Sequence, residues 1–130
     1  MATSAQGGGN QTNLGMAPNM AGLLCYAPCC IGLVFSVVAA IVEKQSRFVR
    51  FHAFQSLLLH GAAIVLAIAL QVVNVVLAVI HLGILGLVVS LLGVVLGLGL
   101  LVASIFLMIK ANSGEELELP VIGPMARQWV

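Results

Sequence analysis

Charged residues are confined to two short parts of this sequence, and the tracts outside them constrain the fold most. No Asp, Glu, Lys or Arg occurs before Glu43, and none lies between Phe51 and Ile109. We call residues 43–50 and 110–127 the two charge islands. A charged side chain at the centre of a bilayer costs about 2.5–3.5 kcal/mol. Charge-free tracts rich in Leu, Val, Ile, Ala and Gly therefore suit lipid, and they predict an integral membrane protein.

The composition indicates the same class of protein. The 130 residues are 62% hydrophobic and 7% charged, with a mean hydropathy of +1.19, whereas a soluble domain is about 25% charged. The length corresponds to one domain. A net charge of +1 without a basic stripe argues against a nucleic-acid partner, because phosphates require clustered Lys and Arg. The expected partner of most of the surface is the lipid bilayer.

The apolar tracts predict an all-α fold with three transmembrane helices, the last two forming a hairpin. A helix needs about 20 residues to cross the hydrocarbon core of a bilayer. The tract between the islands is too long for one span and too short for three. We divide it at His81-Leu82-Gly83, where a polar ring and a glycine interrupt the apolar run. The predicted spans are Ala21–Val42, kinked near Pro28, then Ser56–Ile80 and Ile84–Ile109.

This division also predicts the domain organisation and the topology. Residues 1–19, rich in Gly, Asn, Gln, Ser and Thr, are expected to form a disordered polar tail. Residues 20–113 form the transmembrane domain, with an interfacial loop at 43–55, and residues 114–130 form a cytoplasmic tail. Two spans between the charge islands place both islands on one side of a cell membrane. The positive-inside rule makes that side cytoplasmic and puts the N-terminus outside.

The second and third predicted spans each carry a stripe of polar or small residues at helical spacing. Small residues let helix backbones approach closely, and polar side chains in lipid find partners on a neighbouring helix. Either the two stripes pack on each other within the hairpin, or one contacts a second copy or another membrane protein. The candidate helix-packing face consists of Ser56, His60, Gln71, Asn74, Gly86, Ser90, Gly93 and Gly97.

The apolar tracts contain few residues that could carry chemistry. His52 and His60 lie on one helix face, but about 12 Å of helix rise separates them, so one helix cannot bring both to one metal ion. Cys25, Cys29 and Cys30 are interpreted as small packing residues. The predicted spans hold no carboxylate, and no nucleophile has a visible base. We therefore expect no catalytic residue, no metal site and no cofactor, in a protein that is not an enzyme.

The charge islands supply a candidate interaction surface. The phenylalanines at 48, 51 and 54 recur every three residues, which suits a short headgroup-layer helix with its rings in lipid and its arginines on phosphates. Gly114 is a predicted helix stop. The three glutamates that follow are expected to dock the tail on the loop by pairing with Arg47 or Arg50. The candidate surface comprises Arg47, Phe48, Arg50, Phe51, His52, Gln55, Glu115, Pro120 and Gly123.

Both islands resemble motifs of a family of small bacterial and archaeal membrane proteins of unknown function. The matching residues are Glu43-Lys44 with Arg47-Phe48-Val49-Arg50-Phe51-His52-Ala53-Phe54-Gln55-Ser56, then Lys110-Ala111, Gly114-Glu115, Leu119-Pro120-Val121-Ile122-Gly123 and Ala126. That family is distantly similar to the membrane subunit of the chloroplast inner-envelope Tic protein-import translocon. The resemblance implies a three-helix membrane protein with a role in protein translocation or assembly.

Two functions remain open at this point. The first is a structural, scaffold or assembly protein that acts through helix contacts and its cytoplasmic face, as a possible homo-oligomer or with a membrane protein partner. The alternative is a homo-oligomeric pore or carrier lined by the polar face of the second predicted span. The two functions differ in whether that face is buried against the third span or open to water.

Overall fold

The computed structural model describes residues 12–28 and 30–130, and these residues form an all-α fold without strands. The all-α prediction is confirmed for this part of the chain. Residues 1–11, more than half of the predicted polar tail, lie outside the described residues. The described helices are α1 (Pro18–Cys25), α2 (Cys30–Val42), α3 (Arg47–Val79), α4 (Gly83–Asn112) and α5 (Ile122–Arg127).

The two long helices form the predicted hairpin. Among the described residues, α3 and α4 are the helices long and apolar enough to cross a membrane. α3 ends at Val79 and α4 begins at Gly83, so the predicted break near His81 is confirmed. α4 ends in a Schellman motif, in which Gly114 adopts φ +80°, a conformation that costs glycine little. The predicted helix stop at Gly114 is also confirmed.

The helix α3 begins well before the predicted start of the second span at Ser56. The Ser46 hydroxyl accepts a hydrogen bond from the Val49 amide and caps the helix. No proline or glycine interrupts residues 47–60, so the helix propagates from this cap into the apolar tract. Of the predicted interfacial loop at 43–55, only residues 43–46 are loop.

The prediction of one kinked span at Ala21–Val42 is wrong. The chain forms α1 and α2 instead, separated by a turn at Tyr26–Pro28, where the proline has no amide hydrogen to continue a helix. The Asn13 amide donates to the Glu43 carboxylate at 2.8 Å, and the Lys44 amide donates to Asn13 Oδ1 at 2.8 Å. The start of α1 and the end of α2 therefore meet, so the two helices form an antiparallel helical hairpin.

This hairpin changes the predicted path of the N-terminal region. Thr12–Asn19, predicted to lie in a disordered tail, is folded, and Asn13 contacts residues 43–45 through three hydrogen bonds. It lies at the end of the molecule that holds the charged loop at 43–46, which we call the loop end. The predicted placement of the N-terminal region on the opposite side does not fit these contacts. α2 has 13 residues, fewer than the roughly 20 that cross a hydrocarbon core.

The hydrophobic core sits at the loop end. Between His60 and Phe106, a stretch that the structure describes throughout, no residue is buried. The rest of the α3–α4 hairpin therefore projects from the loop end to its tip at residues 80–82 and exposes an apolar surface. Such a surface requires lipid or protein to cover it. The buried core includes Ala21, Cys25, Tyr26, Ala39, Val49, Phe51, Ala53, Leu107 and Ala111.

Candidate functional site

The first charge island and the C-terminal tail meet at His52, which is fully buried at the loop end. Its Nε2 lies 3.1 Å from the Glu115 carbonyl oxygen, and its Nδ1 lies 3.0 Å from the Tyr26 hydroxyl. Because a carbonyl can only accept, Nε2 carries the hydrogen and Nδ1 accepts from the tyrosine. His52 thereby joins the turn after α1 to the start of the tail.

Gln55, one turn further along α3, makes three hydrogen bonds, two of them to the tail. Its amide nitrogen donates to the Leu117 carbonyl at 2.9 Å and to the Tyr26 hydroxyl at 2.8 Å. Its amide oxygen accepts from the Leu119 amide at 3.0 Å. The side chain is fully buried and both of its donor hydrogens are used. We call Tyr26, His52, Gln55 and the tail backbone at 115–119 the clasp.

The hydrogen bonds of the clasp run in one direction. Gln55 donates to Tyr26, Tyr26 donates to His52, and His52 donates to the tail. Among the described residues, no buried side-chain nitrogen or oxygen lacks a hydrogen-bond partner. A buried polar group left without a partner costs about 1–3 kcal/mol, so a fully paired network favours one arrangement over its alternatives. The clasp therefore fixes the tail in one register on α3.

A tight turn brings Gly123 against the clasp. Val121 adopts φ +68°, and the Ile122 amide donates to the Pro120 carbonyl at 2.7 Å, so residues 120–122 form a γ-turn. A Cβ added at Gly123 would stand 2.6 Å from Glu118 Cβ and 3.1 Å from Gln55 Oε1. A larger residue would force the backbone near Glu118 to move, so glycine is required for this close approach.

Aromatic rings enclose the clasp histidine. The rings of Phe48 and Phe51 meet the imidazole edge-on, at 4.5 and 5.3 Å between centroids. The Arg127 guanidinium lies 4.3 Å from the Phe51 centroid, in cation–π geometry. Phe54 packs edge-on against Trp129 near the end of the tail. The prediction that these phenylalanine rings enter lipid is wrong, because Phe48 and Phe51 are buried within the protein and Phe54 packs against the tail.

The glutamates of the tail form ion pairs within the second charge island. Arg127 contacts Glu116, with 2.9 Å between Nη2 and Oε2, and it also contacts Glu118. Glu115 pairs with Lys110 at 3.1 Å. The hydrogen bond to Glu118 raises the pKa of the Arg127 guanidinium above its ordinary value. All these pairs are partly exposed, and such pairs contribute about 0–1 kcal/mol each.

The predicted pairs between these glutamates and Arg47 or Arg50 are therefore wrong. Arg50 donates to the Glu43 carbonyl and to the Trp129 carbonyl, at 3.0 Å in each case. Arg47 is exposed in the first turn of α3. The tail does lie against the first island, but the uncharged side chain of Gln55 and its neighbours in the clasp hold its backbone.

The predicted interaction surface did not include Tyr26 or Glu43. Glu43 is fully buried, and its carboxylate accepts from the amides of Asn13 at 2.8 Å, Gln45 at 2.8 Å and Ser46 at 2.9 Å. It therefore ties the segment before α1 to the loop before α3. Tyr26 is the chain's single tyrosine, inside an apolar tract, and Glu43 is the first charge of the sequence. These signals mark both residues as unusual without indicating their partners.

The predicted helix-packing face is brought together in its middle part. The Asn74 side-chain amide donates to the Ser90 hydroxyl at 3.4 Å. Gly86 lies beside Asn74, and Gly93 faces Leu70 of α3. These residues form part of the contact between the two helices of the hairpin, which agrees with the first of the two alternatives from the sequence, that the stripes pack on each other.

The remaining members of that face lie in other surroundings. Ser56 donates to the Cys25 carbonyl, inside the loop end. His60 and Gly97 line a groove of about 200 Å³ below Pro28. Gln71 is exposed, in a shallow groove on the outer side of α3. The polar stripe of α3 is therefore divided among three surroundings and is not one continuous interface.

The described residues contain no group of three or more His, Cys, Asp or Glu side chains placed to hold a metal ion. Cys25 is buried in the core and Cys30 is exposed on α2. Cys29 lies outside the described residues. The absence of a cofactor and of enzymatic activity stay predictions.

Comparisons with known proteins find relatives that share almost the whole chain. Residues 10–126 match the magnetosome magnetite crystal formation protein family, MamF/MmsF. The UPF0132 membrane protein MJ1443 of Methanocaldococcus jannaschii is 36% identical over 119 residues, which cover 92% of this chain and 94% of that protein. A UPF0132 membrane protein of Archaeoglobus fulgidus is 33% identical over 115 residues, 88% of this chain and 97% of that protein. No solved structure matches.

The matched region includes the first charge island, the second island up to residue 126, and the whole clasp. The predicted membership in a family of small prokaryotic membrane proteins of unknown function is confirmed, and the names of the relatives agree with a membrane location. The similarity to the Tic subunit stays a prediction. The chain belongs to the magnetosome magnetite crystal formation protein family, MamF/MmsF.

Proposed function

We propose that this protein is a structural scaffold or assembly component of a membrane, which acts through protein contacts at its loop end. The observation that carries this proposal is the clasp. Tyr26, His52 and Gln55 use their hydrogen-bonding groups to hold the tail in place. Side chains engaged in this way shape a surface and are not free to transfer protons or attack a substrate.

The clasp supports an exposed surface that suits a protein partner. At the loop end, Lys44, Arg47, Val121, Met125 and Trp129 are exposed, and the tryptophan is 50% exposed. Tryptophan, methionine and arginine are enriched in protein interfaces. Because the clasp already orders the tail, a partner loses little conformational entropy in fixing it. We call these five residues the platform.

The distribution of charge supports a cytoplasmic platform. Lys44, Arg47 and Lys110 lie at the loop end, and the hairpin tip carries no Lys or Arg. The positive-inside rule then favours α3 and α4 crossing a cell membrane with the loop end in the cytoplasm. The family description names magnetosome magnetite crystal formation, which supports a part in building a membrane-associated structure. The Tic resemblance adds a translocating protein as one possible class of partner.

The alternative, a homo-oligomeric pore or carrier, requires water along the polar face of α3. Cysteine substitutions at His60 and Gln71, in a variant without the native cysteines, test this with a membrane-impermeant thiol reagent. Rapid labelling of both positions would support the pore and contradict the scaffold. Protection of both positions would exclude the pore.

Photo-crosslinking in native membranes tests the scaffold. A photoreactive residue at Arg47 or Trp129 is expected to give discrete protein adducts, whereas the same residue at Val72 or Leu91, on the hairpin, should react mainly with lipid. The adducts at Trp129 should weaken in a Gln55→Leu background, which loosens the clasp. Equal protein adducts from all four positions, or adducts at Trp129 that are unchanged in the Gln55→Leu background, would contradict the proposal.

A matched control separates loss of the clasp from loss of a glutamine. Gln71 lies on the same helix as Gln55 but is exposed and does not contact the tail. The Gln71→Leu background should therefore leave the platform adducts at wild-type intensity. If the Gln55→Leu and Gln71→Leu backgrounds reduce the adducts equally, the clasp does not hold the platform in place.

A further inference from the structure

The α1–α2 hairpin extends only part of the way along the α3–α4 hairpin. Its open end is tied to the loop through Asn13 and Glu43, and its turn lies beside Ser56, which donates to the Cys25 carbonyl. Beyond Ser56, α3 continues to its end at Val79, roughly 35 Å further at 1.5 Å per residue. The molecule therefore has four helices side by side at the loop end and two towards the tip.

The outer face of α2 continues the apolar surface of the long hairpin. Ile31, Val34, Val38 and Ile41 recur at spacings of three and four and form one exposed stripe, in which the two isoleucines are each 65% exposed. The helix ends at Val42, directly before the first charge of the chain. An exposed apolar stripe that ends at the charged boundary suits lipid acyl chains from that boundary inwards.

The turn between α1 and α2 is equipped for membrane depth. Non-helical backbone inside a bilayer is tolerated where the protein satisfies its hydrogen bonds. The Tyr26 and Ala27 amides donate to carbonyls of the last turn of α1, at 3.1 and 3.2 Å. The Cys25 carbonyl accepts from the hydroxyls of Ser36 and Ser56. α2 rises roughly 20 Å, less than the roughly 30 Å of a hydrocarbon core, so the hairpin enters the bilayer from the loop end and returns before it reaches the opposite surface.

We propose that this protein is a membrane wedge that binds preferentially to curved bilayers whose convex leaflet contains the loop end. α1 and α2 lie mainly in the loop-end leaflet, so the protein displaces more lipid there than in the opposite leaflet. Bending the bilayer so that the loop end lies on its convex side relieves that mismatch, because the convex leaflet has a larger area than the concave leaflet. The occupant of the α2 stripe is lipid. This inference goes beyond the scaffold role and requires no protein partner.

Single-vesicle fluorescence of the full chain tests the wedge. Labelled protein is inserted from detergent into phosphatidylcholine–phosphatidylglycerol vesicles of mixed diameter, and external protease identifies molecules whose C-terminal tag faces outwards. For those molecules the protein density per lipid should rise severalfold from the largest to the smallest vesicles. A density independent of diameter, or highest on the largest vesicles, would overturn the wedge.

Two sets of alanine substitutions give opposite expectations in the same assay. The first set reduces the volume that the protein occupies in the loop-end leaflet without removing buried packing, so it should lower the preference for small vesicles. It consists of Ile31→Ala, Val34→Ala and Ile41→Ala. The matched set on the far half of the α3–α4 hairpin reduces the volume that the protein occupies in the opposite leaflet and should raise that preference. If both sets shift the preference in the same direction, the wedge geometry is wrong. The matched set is Val76→Ala, Val88→Ala and Leu91→Ala.

The topology of the chain provides a second, independent readout. A re-entrant α1–α2 hairpin places both termini on the loop-end side, so tags at residues 1 and 130 should be cut by protease from the same side. Cleavage from opposite sides would overturn the re-entrant hairpin and the wedge with it. Because the vesicles contain no other protein, failure of the wedge leaves the crosslinking test of the platform unaffected.

Discussion

Replacing Gln55 by leucine tests whether the clasp holds the tail. Leucine has a similar size and an equal helix propensity, so α3 should persist. The change removes the hydrogen bonds to the Leu117 carbonyl, the Leu119 amide and the Tyr26 hydroxyl. Two of these bonds hold the tail, so at about 1 kcal/mol net for each bond the docked tail loses about 2 kcal/mol, and more where a buried partner is left without a hydrogen bond.

The loss should appear as local opening of the tail while the helices remain folded. A change of about 2 kcal/mol raises the open population roughly 30-fold, since 1.4 kcal/mol is a factor of ten. Limited proteolysis by a glutamyl endopeptidase in lipid nanodiscs reads this population, because Glu116 and Glu118 lie in the extended tail. When the tail closes faster than it is cut, the cleavage rate follows the open population. Hydrogen exchange of the Leu119 amide should accelerate by a similar factor.

The control is Gln71→Leu, which makes the same chemical change on the same helix. Gln71 is exposed along the hairpin and does not contact the tail, so tail cleavage should stay within about twofold of wild type, in keeping with the roughly 0.5 kcal/mol limit typical of surface changes. If Gln55→Leu is cut at the wild-type rate, or if the two variants behave alike, the tail is not held by these hydrogen bonds.

Three further substitutions test the same end of the molecule by thermal unfolding in nanodiscs. Gly123→Ala should destabilise the tail by about 1–3 kcal/mol through its clash with Glu118, whereas Gly99→Ala, with open space around it, should change stability by less than about 1 kcal/mol. Tyr26→Phe removes the hydroxyl that donates to His52 and accepts from Gln55, so it should lower the free energy of unfolding by about 1–3 kcal/mol. A stability equal to that of the wild type would contradict the clasp. Glu43→Gln should lower the free energy of unfolding by about 1–3 kcal/mol, because an amide nitrogen replaces one of the two oxygens that accept hydrogen bonds from backbone amides. An unchanged stability would show that these hydrogen bonds do not stabilise the fold.

The α3–α4 hairpin could be predicted from the sequence because its signals are local. A glycine and a polar residue mark the turn near His81, and Gly114 marks the end of α4. The α1–α2 hairpin could not be predicted in the same way. A proline inside an apolar tract is compatible with a kinked span and with a turn between two short helices. The choice depends on the bond between Asn13 and Glu43, which are 30 residues apart.

The clasp was harder still to predict. His52 and Gln55 were singled out, but their partners on the tail are backbone groups more than 60 residues away. Every residue has a backbone carbonyl, so no residue type in the tail marks Glu115 or Leu117 as an acceptor. The charges suggested ion pairs across the islands instead. The helix α5 returns Arg127 to the tail glutamates, and this local pairing replaced the predicted one.

Tyr26 connects the two features that matter for function. It stands in the turn of the α1–α2 hairpin, and its hydroxyl joins His52 and Gln55, which hold the tail. Undocking of that hairpin and release of the tail therefore break different hydrogen bonds of the same two side chains, His52 and Gln55, and the two openings are coupled through these side chains. By linkage, a partner that binds the docked tail also favours the docked hairpin, and a bilayer that favours the docked hairpin also favours the platform. The platform and the wedge are thus properties of one hydrogen-bonded unit, and perturbing either should be felt at the other.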